Sequence, residues 1–166
     1  MPDHKIALLS YDIERSYPVP PSVVFSRWLL PEMRTIWEAG GPDWTPRILG
    51  SDARIGGHDE TAYERPGAPA FRTRVDYLDI VPDARIIYAF SLIVGGRAVT
   101  CSLTSLDVRV GGRGTLLTLH EAISLLDGAD VADLQAQGIV GQLNPEPLGH
   151  GVLRALPGLG LPSAQP

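Results

Sequence analysis

Between residues 44 and 123 the chain alternates strand-like runs with short turn signals, and this pattern narrows the possible folds more than any other feature. The runs are 44–52, 57–65, 70–82, 85–94, 98–110 and 114–123. They are rich in Thr, Val, Ile, Leu and aromatic residues, which suit a pleated, half-buried surface. Their separators are short: Pro82-Asp83, Gly95-Gly96-Arg97 and Gly111-Gly112-Arg113-Gly114. Connections of this length join antiparallel neighbours, because a parallel pair needs a crossover of a dozen residues or more. Consecutive hairpins predict an antiparallel meander, with one face on a core and one in water.

The flanking segments supply helices. Residues 6–17 read as a further strand, with Ile13, Arg15 and Tyr17 on one face and Asp12, Glu14 and Ser16 on the other. Pro20 and Pro21 can open a helix, and Val24, Phe25 and Trp28 then recur at helical spacing. A second short helix is expected over 31–37, with Pro31 at its start and Gly40-Gly41 beyond its end. Residues 127–143 predict a terminal helix, with Asp127 or Asp130 as its cap and a stripe of Val131, Leu134, Ile139 and Leu143. That stripe must be buried, and the sheet is the available partner. The expected fold class is therefore α+β: about six or seven antiparallel strands curled round a C-terminal helix, with two short helices after the first strand. The groove between sheet and helix is the default ligand site.

Length and charge remove several function classes. At 166 residues one domain is expected, over 1–156, with a poorly ordered Pro/Gly-rich tail at 157–166. The net charge of −5 argues against a nucleic-acid footprint and against a polybasic membrane surface. No apolar run approaches the length of a membrane span. Cys101 is the sole cysteine, so a disulfide framework and a Cys-rich zinc site are excluded. Residues 1–16 lack the apolar core of a signal peptide, and a cytoplasmic location is expected.

Five pieces, in order, carry a family resemblance: residues 14–37 (ERSYPVPPSVVFSRWLLPEMRTIW), 52–60 (DARIGGHDE), 75–90 (VDYLDIVPDARIIYAF), 111–122 (GGRGTLLTLHEA) and a Gly-led helix around Gly138. Together they resemble the helix-grip, START-like superfamily, also called SRPBCC. Within it they resemble most the family named for activators of the heat-shock ATPase chaperone. The resemblance covers roughly residues 9–143. It implies a helix-grip fold and a groove for a small apolar or amphipathic ligand. The chain departs from the family pattern at Gly138-Ile139, where Gly-Trp is usual, and at Pro145 and Pro147. A helix-interior proline costs on the order of 3 kcal/mol, so the helix is expected to end or kink near Leu143.

Candidate chemistry is sparse. The stretch 51–60 (SDARIGGHDE) places two glycines before His58, Asp59 and Glu60. It lacks the Lys and hydroxyl of a phosphate loop, and strand pattern follows it. As metal ligands, only His58 and Glu60 could converge, since neighbours on a strand point to opposite faces, and two ligands make no zinc site. The glycines are read as a bend at a strand start, with the charged residues on the wet face or rim. No metal or cofactor is expected. Ligand contacts are expected from Trp37, Trp44, Tyr63, Tyr88, Phe90 and His120, each weighed against ordinary packing. If the protein is an enzyme of the cyclase or hydratase kind found among similar proteins, His120 and Glu60 are the first acid–base suspects, with Tyr63 and Tyr88 behind them. Cys101 has no cationic neighbour in sequence and reads as a small buried hydrophobe rather than a nucleophile. Arg72 and Arg74 share a face and are expected to point outward. The leading expectation is a non-catalytic binding module. The alternatives are the enzyme, and a chaperone-associated or other protein-interaction module acting through sheet-edge or surface contacts. A homodimer through an exposed edge is also open.

Overall fold

The computed structural model describes residues 4–35, 38 and 43–137. They form a curved, seven-stranded, wholly antiparallel sheet with short helices on one face. The chain runs β1 (Ile6–Tyr17), α1 (Pro21–Leu29), α2 (Pro31–Arg34), β2 (Thr45–Ser51), β3 (His58–Glu64), β4 (Phe71–Val81), β5 (Arg85–Val94), β6 (Arg97–Gly111), β7 (Gly114–Leu126) and α3 (Val131–Ala136). The sheet order is β1-β7-β6-β5-β4-β3-β2. Each strand from β3 to β7 therefore sits beside its predecessor, as the short connections require. The exception is β1, which pairs with β7 in unbroken register from Ile6↔Leu126 to Tyr17↔Thr115.

Alternation decides which side chains are buried. Along β7, Thr115, Leu117, Leu119, Glu121, Ile123 and Leu125 are buried on the inner face. Ile86, Tyr88, Phe90 and Leu92 of β5 do the same, as do Leu106 and Val108 of β6. Val24, Phe25 and Trp28 of α1 and Leu134 of α3 join this core. The helical spacing of 24, 25 and 28 gives α1 one apolar face, and that face meets β6 and β7. Pro21 opens α1, where its missing N–H costs nothing. Asp130, not Asp127, caps α3: its Oδ1 accepts from the backbone N–H of Ala132 at 2.7 Å and of Asp133 at 3.3 Å. The expected course of that helix to Leu143, the effect of Pro145 and Pro147, and the tail at 157–166 lie outside the described residues.

One local irregularity positions the inner face. The register of β4 against β5 shifts between Tyr77 and Asp79, leaving Leu78 as a bulge. The turn between β2 and β3 docks beside it: Gly56 N–H donates to Tyr77 O at 2.9 Å, and Tyr77 N–H donates to Gly57 O at 3.0 Å. Gly56 has φ of 79°, in the left-handed region. A Cβ on Gly57 would lie 2.1 Å from Asp52 O across the turn, so the turn's tight closure requires glycine. The double glycine thus brings the start of β3 tightly against β4.

Candidate functional site

The inner face of the sheet carries two polar clusters set in apolar surroundings, and they differ in kind. The first centres on Arg34, which is 3% exposed. Its Nε donates to Glu38 Oε1 at 3.1 Å, and its Nη2 donates to Asp59 Oδ2 at 2.7 Å. Its Nη1 donates to Tyr77 Oη at 2.9 Å and to the carbonyls of Trp28 and Leu29 at 3.3 and 3.1 Å. Those two carbonyls are among the free acceptors at the C-terminal end of α1. The acids are held from the far side as well. Tyr77 Oη donates to Asp59 Oδ2 at 2.5 Å, and Asp52 N–H donates to Asp59 Oδ1 at 2.9 Å. Tyr63 Oη and Thr73 Oγ1 donate to Glu38 Oε2 at 2.5 and 3.0 Å.

This first cluster ties α1 and α2 to β3 and β4. Two acids face one guanidinium, and the hydroxyls of Tyr63, Thr73 and Tyr77 balance the excess negative charge. Burial disfavours ionised Asp59, but the hydrogen bonds from Tyr77 and Arg34 and the charge of Arg34 outweigh it and lower its pKa. Arg34 has a donor committed in every direction, and Asp59 has both oxygens occupied. The cluster is a structural clamp.

The second cluster surrounds Glu121, which is 4% exposed near the middle of β7. Its Oε1 accepts from Ser102 Oγ at 2.5 Å and its Oε2 accepts from Tyr11 Oη. Next to it Trp28 Nε1 donates to Tyr88 Oη at 3.3 Å. No described residue forms an ion pair with Glu121. Burial raises its pKa, and the hydrogen bonds from Ser102 and Tyr11 only partly oppose this. Burial and the nearby Glu121 raise the pKa of Tyr11 and of Tyr88 too. The chemistry available is that of a buried carboxyl that holds its proton readily, next to hydroxyls that stay neutral.

The structure separates the residues expected to share a site. Tyr63, Tyr88 and Phe90 are buried on the inner face. Trp44 is buried edge-on against Phe71, with ring centroids 4.7 Å apart, and Phe71 stacks on Tyr63. Arg65 lies over the Trp44 ring at 4.6 Å. Trp37 lies outside the described residues. His120 is exposed on the outer face, where its Nδ1 is 2.7 Å from Asp12 Oδ1. It lines an open outer groove of about 430 Å³ together with Asp12, Glu14, Arg85 and Asp107. Glu60 is also outward and pairs with Arg72 at 2.8 Å. His120 and Glu60 therefore do not meet Tyr63 or Tyr88. The expectation that all three charged residues after Gly57 are wet is corrected: His58 is exposed and Glu60 is half-buried, but Asp59 is 1% exposed. The parity that turns Tyr63 inward turns Asp59 inward as well.

Sequence reasoning missed Arg34, Glu38, Asp59, Tyr11, Ser102 and Glu121. One signal was present for two of them. Glu121 interrupts the apolar alternation of Leu117, Leu119 and Ile123, and Asp59 occupies the same parity as Tyr63. Among the described residues no three His, Cys, Asp or Glu side chains group as a metal site. No helix among them is long and apolar enough to cross a membrane.

Comparison with known proteins gives the fold and family. A protein from Rhizobium leguminosarum is 26% identical and superposes with a TM-score of 0.74, covering 92% of this chain and 97% of that one. The Mll3558 protein from Rhizobium loti is 28% identical, with a TM-score of 0.69 over 92% and 99% of the two chains. The structure of Ara h 8.0201 is 12% identical with a TM-score of 0.61, over 90% and 95%, and shows the shared helix-grip fold alone. No curated protein matches the chain. The family described as "Activator of Hsp90 ATPase homolog 1-like protein" matches residues 18–143, which spans all but the first strand and the C-terminal residues. With the curved antiparallel sheet and its inward-facing core, this match makes the chain a member of that family within the SRPBCC superfamily.

Proposed function

We propose that the protein binds a small amphipathic molecule against the inner face of the sheet, with the ligand's polar end at Glu121. The observation that carries this reading is the Glu121 cluster: a buried carboxyl with hydroxyl neighbours and no described cation, placed among apolar residues. A structural role would be served better by a paired acid, as at Asp59, because an unpaired buried acid is costly to keep. A few convergent polar groups in an apolar wall are what fix the orientation of a small ligand. A protonated Glu121 offers an O–H donor, so the matching ligand carries a neutral oxygen acceptor, such as a carbonyl or hydroxyl, on an apolar body. The fold and family are consistent with ligand binding of this class.

The test is a panel of fatty alcohols, aromatic polyketides and flavonoids, followed by Trp fluorescence and melting temperature. A ligand that binds only the folded state raises the melting temperature by mass action. The proposal expects such a shift with a neutral oxygen-bearing ligand, and about tenfold weaker binding in Glu121→Leu. It is overturned if no panel member shifts either signal, or if Glu121→Leu binds as well as the native protein. The same carboxyl, with its raised pKa, also suits a general acid. Turnover of a bound panel member that is lost in Glu121→Gln would move the reading from binder to enzyme.

A further inference from the structure

The two edges of the sheet are built differently, and the difference points to a partner for one of them. Strand β2, at one edge, carries Pro46 and Arg47, and its register shifts between Ile48 and Gly50. Proline, charge and a bulge are the devices that stop an edge from pairing with another chain. Strand β1, at the other edge, has none of them between Ile6 and Tyr11. Its pairing to β7 is regular throughout, and among the described residues no strand lies on its other side. Ile6 is 66% exposed and Leu8 77% exposed on the outer face, and Leu9 on the inner face is 42% exposed. An exposed apolar edge with no described strand beside it is a template for strand addition.

The charges around this segment identify the strand that fits. His4 and Lys5 precede the apolar stretch, and Asp12 and Glu14 follow it. A sequence that runs basic, apolar, acidic is complementary to itself when reversed. We propose that β1 pairs antiparallel with β1 of a second copy of this chain about a two-fold axis at Leu8. Two-fold symmetry perpendicular to the sheet keeps outer residues opposite outer residues, so Leu8 meets Leu8 of the second copy, Ile6 meets Ser10, and His4 meets Asp12. On the inner face Ala7 meets Leu9. His4 and Asp12 now pair with Asp127 and His120 at exposed positions, and such surface pairs are exchanged at little cost. The result is one sheet continuous through two protomers, joined by an isologous contact.

The test is the oligomeric state of the full chain by sedimentation velocity, from micromolar to millimolar concentration. The native protein is expected to form a dimer. Leu8→Lys places like charges opposite each other on the axis and is expected to raise the dimer dissociation constant about tenfold or more, with an unchanged circular dichroism spectrum. A monomer throughout that range overturns the proposal, as does a dimer that Leu8→Lys leaves intact. Should Leu8→Lys fail to fold, Leu8→Cys in a Cys101→Ser background gives a second reading. Oxidation is expected to produce a covalent dimer in the native state, and its failure to do so overturns the register.

Discussion

Arg34 Nη2 lies 2.7 Å from Asp59 Oδ2, and both side chains are all but removed from solvent. The pair joins a helix of four residues to the start of β3, 25 positions further along the chain with β2 in between, and Tyr77 closes it by donating to the same carboxylate oxygen. Removing the cation leaves Asp59 and Glu38 buried together. Arg34→Met is therefore expected to lose about 3–5 kcal/mol of stability, the usual cost of stranding a buried charge. Urea unfolding checks this; a loss below about 1 kcal/mol would show that water reaches the acids and the clamp is not closed.

The two inner-face acids should respond to pH in opposite senses. Asp59 has its pKa lowered on folding, so it adds stability above its unfolded value, and this is lost as pH falls through the folded value. Glu121 has its pKa raised, so its contribution is present below its unfolded value and is lost as pH rises through the folded value. Urea midpoints measured across the carboxylate range and upward to neutrality should rise from acid and then decline. Glu121→Gln is expected to remove the decline while leaving the acid limb. An unchanged decline in that variant would assign it to another group.

Adjacent glycines should differ in what they tolerate. Gly57→Ala puts a methyl 2.1 Å from the backbone oxygen of Asp52, which forces the turn between β2 and β3 to open. Gly56→Ala meets open space and bears only the left-handed backbone cost, about 1–2 kcal/mol. Melting temperatures should therefore fall further for Gly57→Ala. The reverse order would mean that the turn relaxes freely.

Tyr17 is 3% exposed, and its hydroxyl has no hydrogen-bond partner among the described residues. Burial pushes its pKa up to about 12. Tyr17→Phe deletes an unsatisfied polar atom without opening a cavity, and is expected to gain about 1 kcal/mol. A loss of stability by thermal denaturation would show that the hydroxyl does have a partner.

His120→Ala should change little. The His120–Asp12 pair is solvent-exposed on the outer face, and such pairs contribute roughly 0–1 kcal/mol. Ligand-induced melting shifts should be the same in the variant and the native protein. A lost shift would move the binding site to the outer groove.

The sheet was legible because its signals are local. Strand residues, two-residue turns and the helical spacing of Val24, Phe25 and Trp28 all act within a few positions. The site was legible only in its apolar part. Tyr63, Tyr88 and Phe90 are inward, as alternation requires, whereas His120 has the more distinctive chemistry but the parity of the wet face. Its neighbour Glu121, with less distinctive chemistry, has the buried parity. The same slip of one position separates Glu60 from Asp59.

By itself, the sequence determined a meander of antiparallel strands, the helices that precede and follow it, and the double glycine that tightens the start of β3. These depend on backbone preferences and periodicities that each segment carries alone. The tertiary structure decided which acids are held by a cation and which is not. Arg34, Glu38 and Asp59 meet because a bulge at Leu78 and a turn at Gly56-Gly57 bring separate elements into contact, while Glu121 lies where no described cation reaches. The cost of a buried charge depends on its neighbours in space, and those neighbours come from strands and helices far apart in the chain.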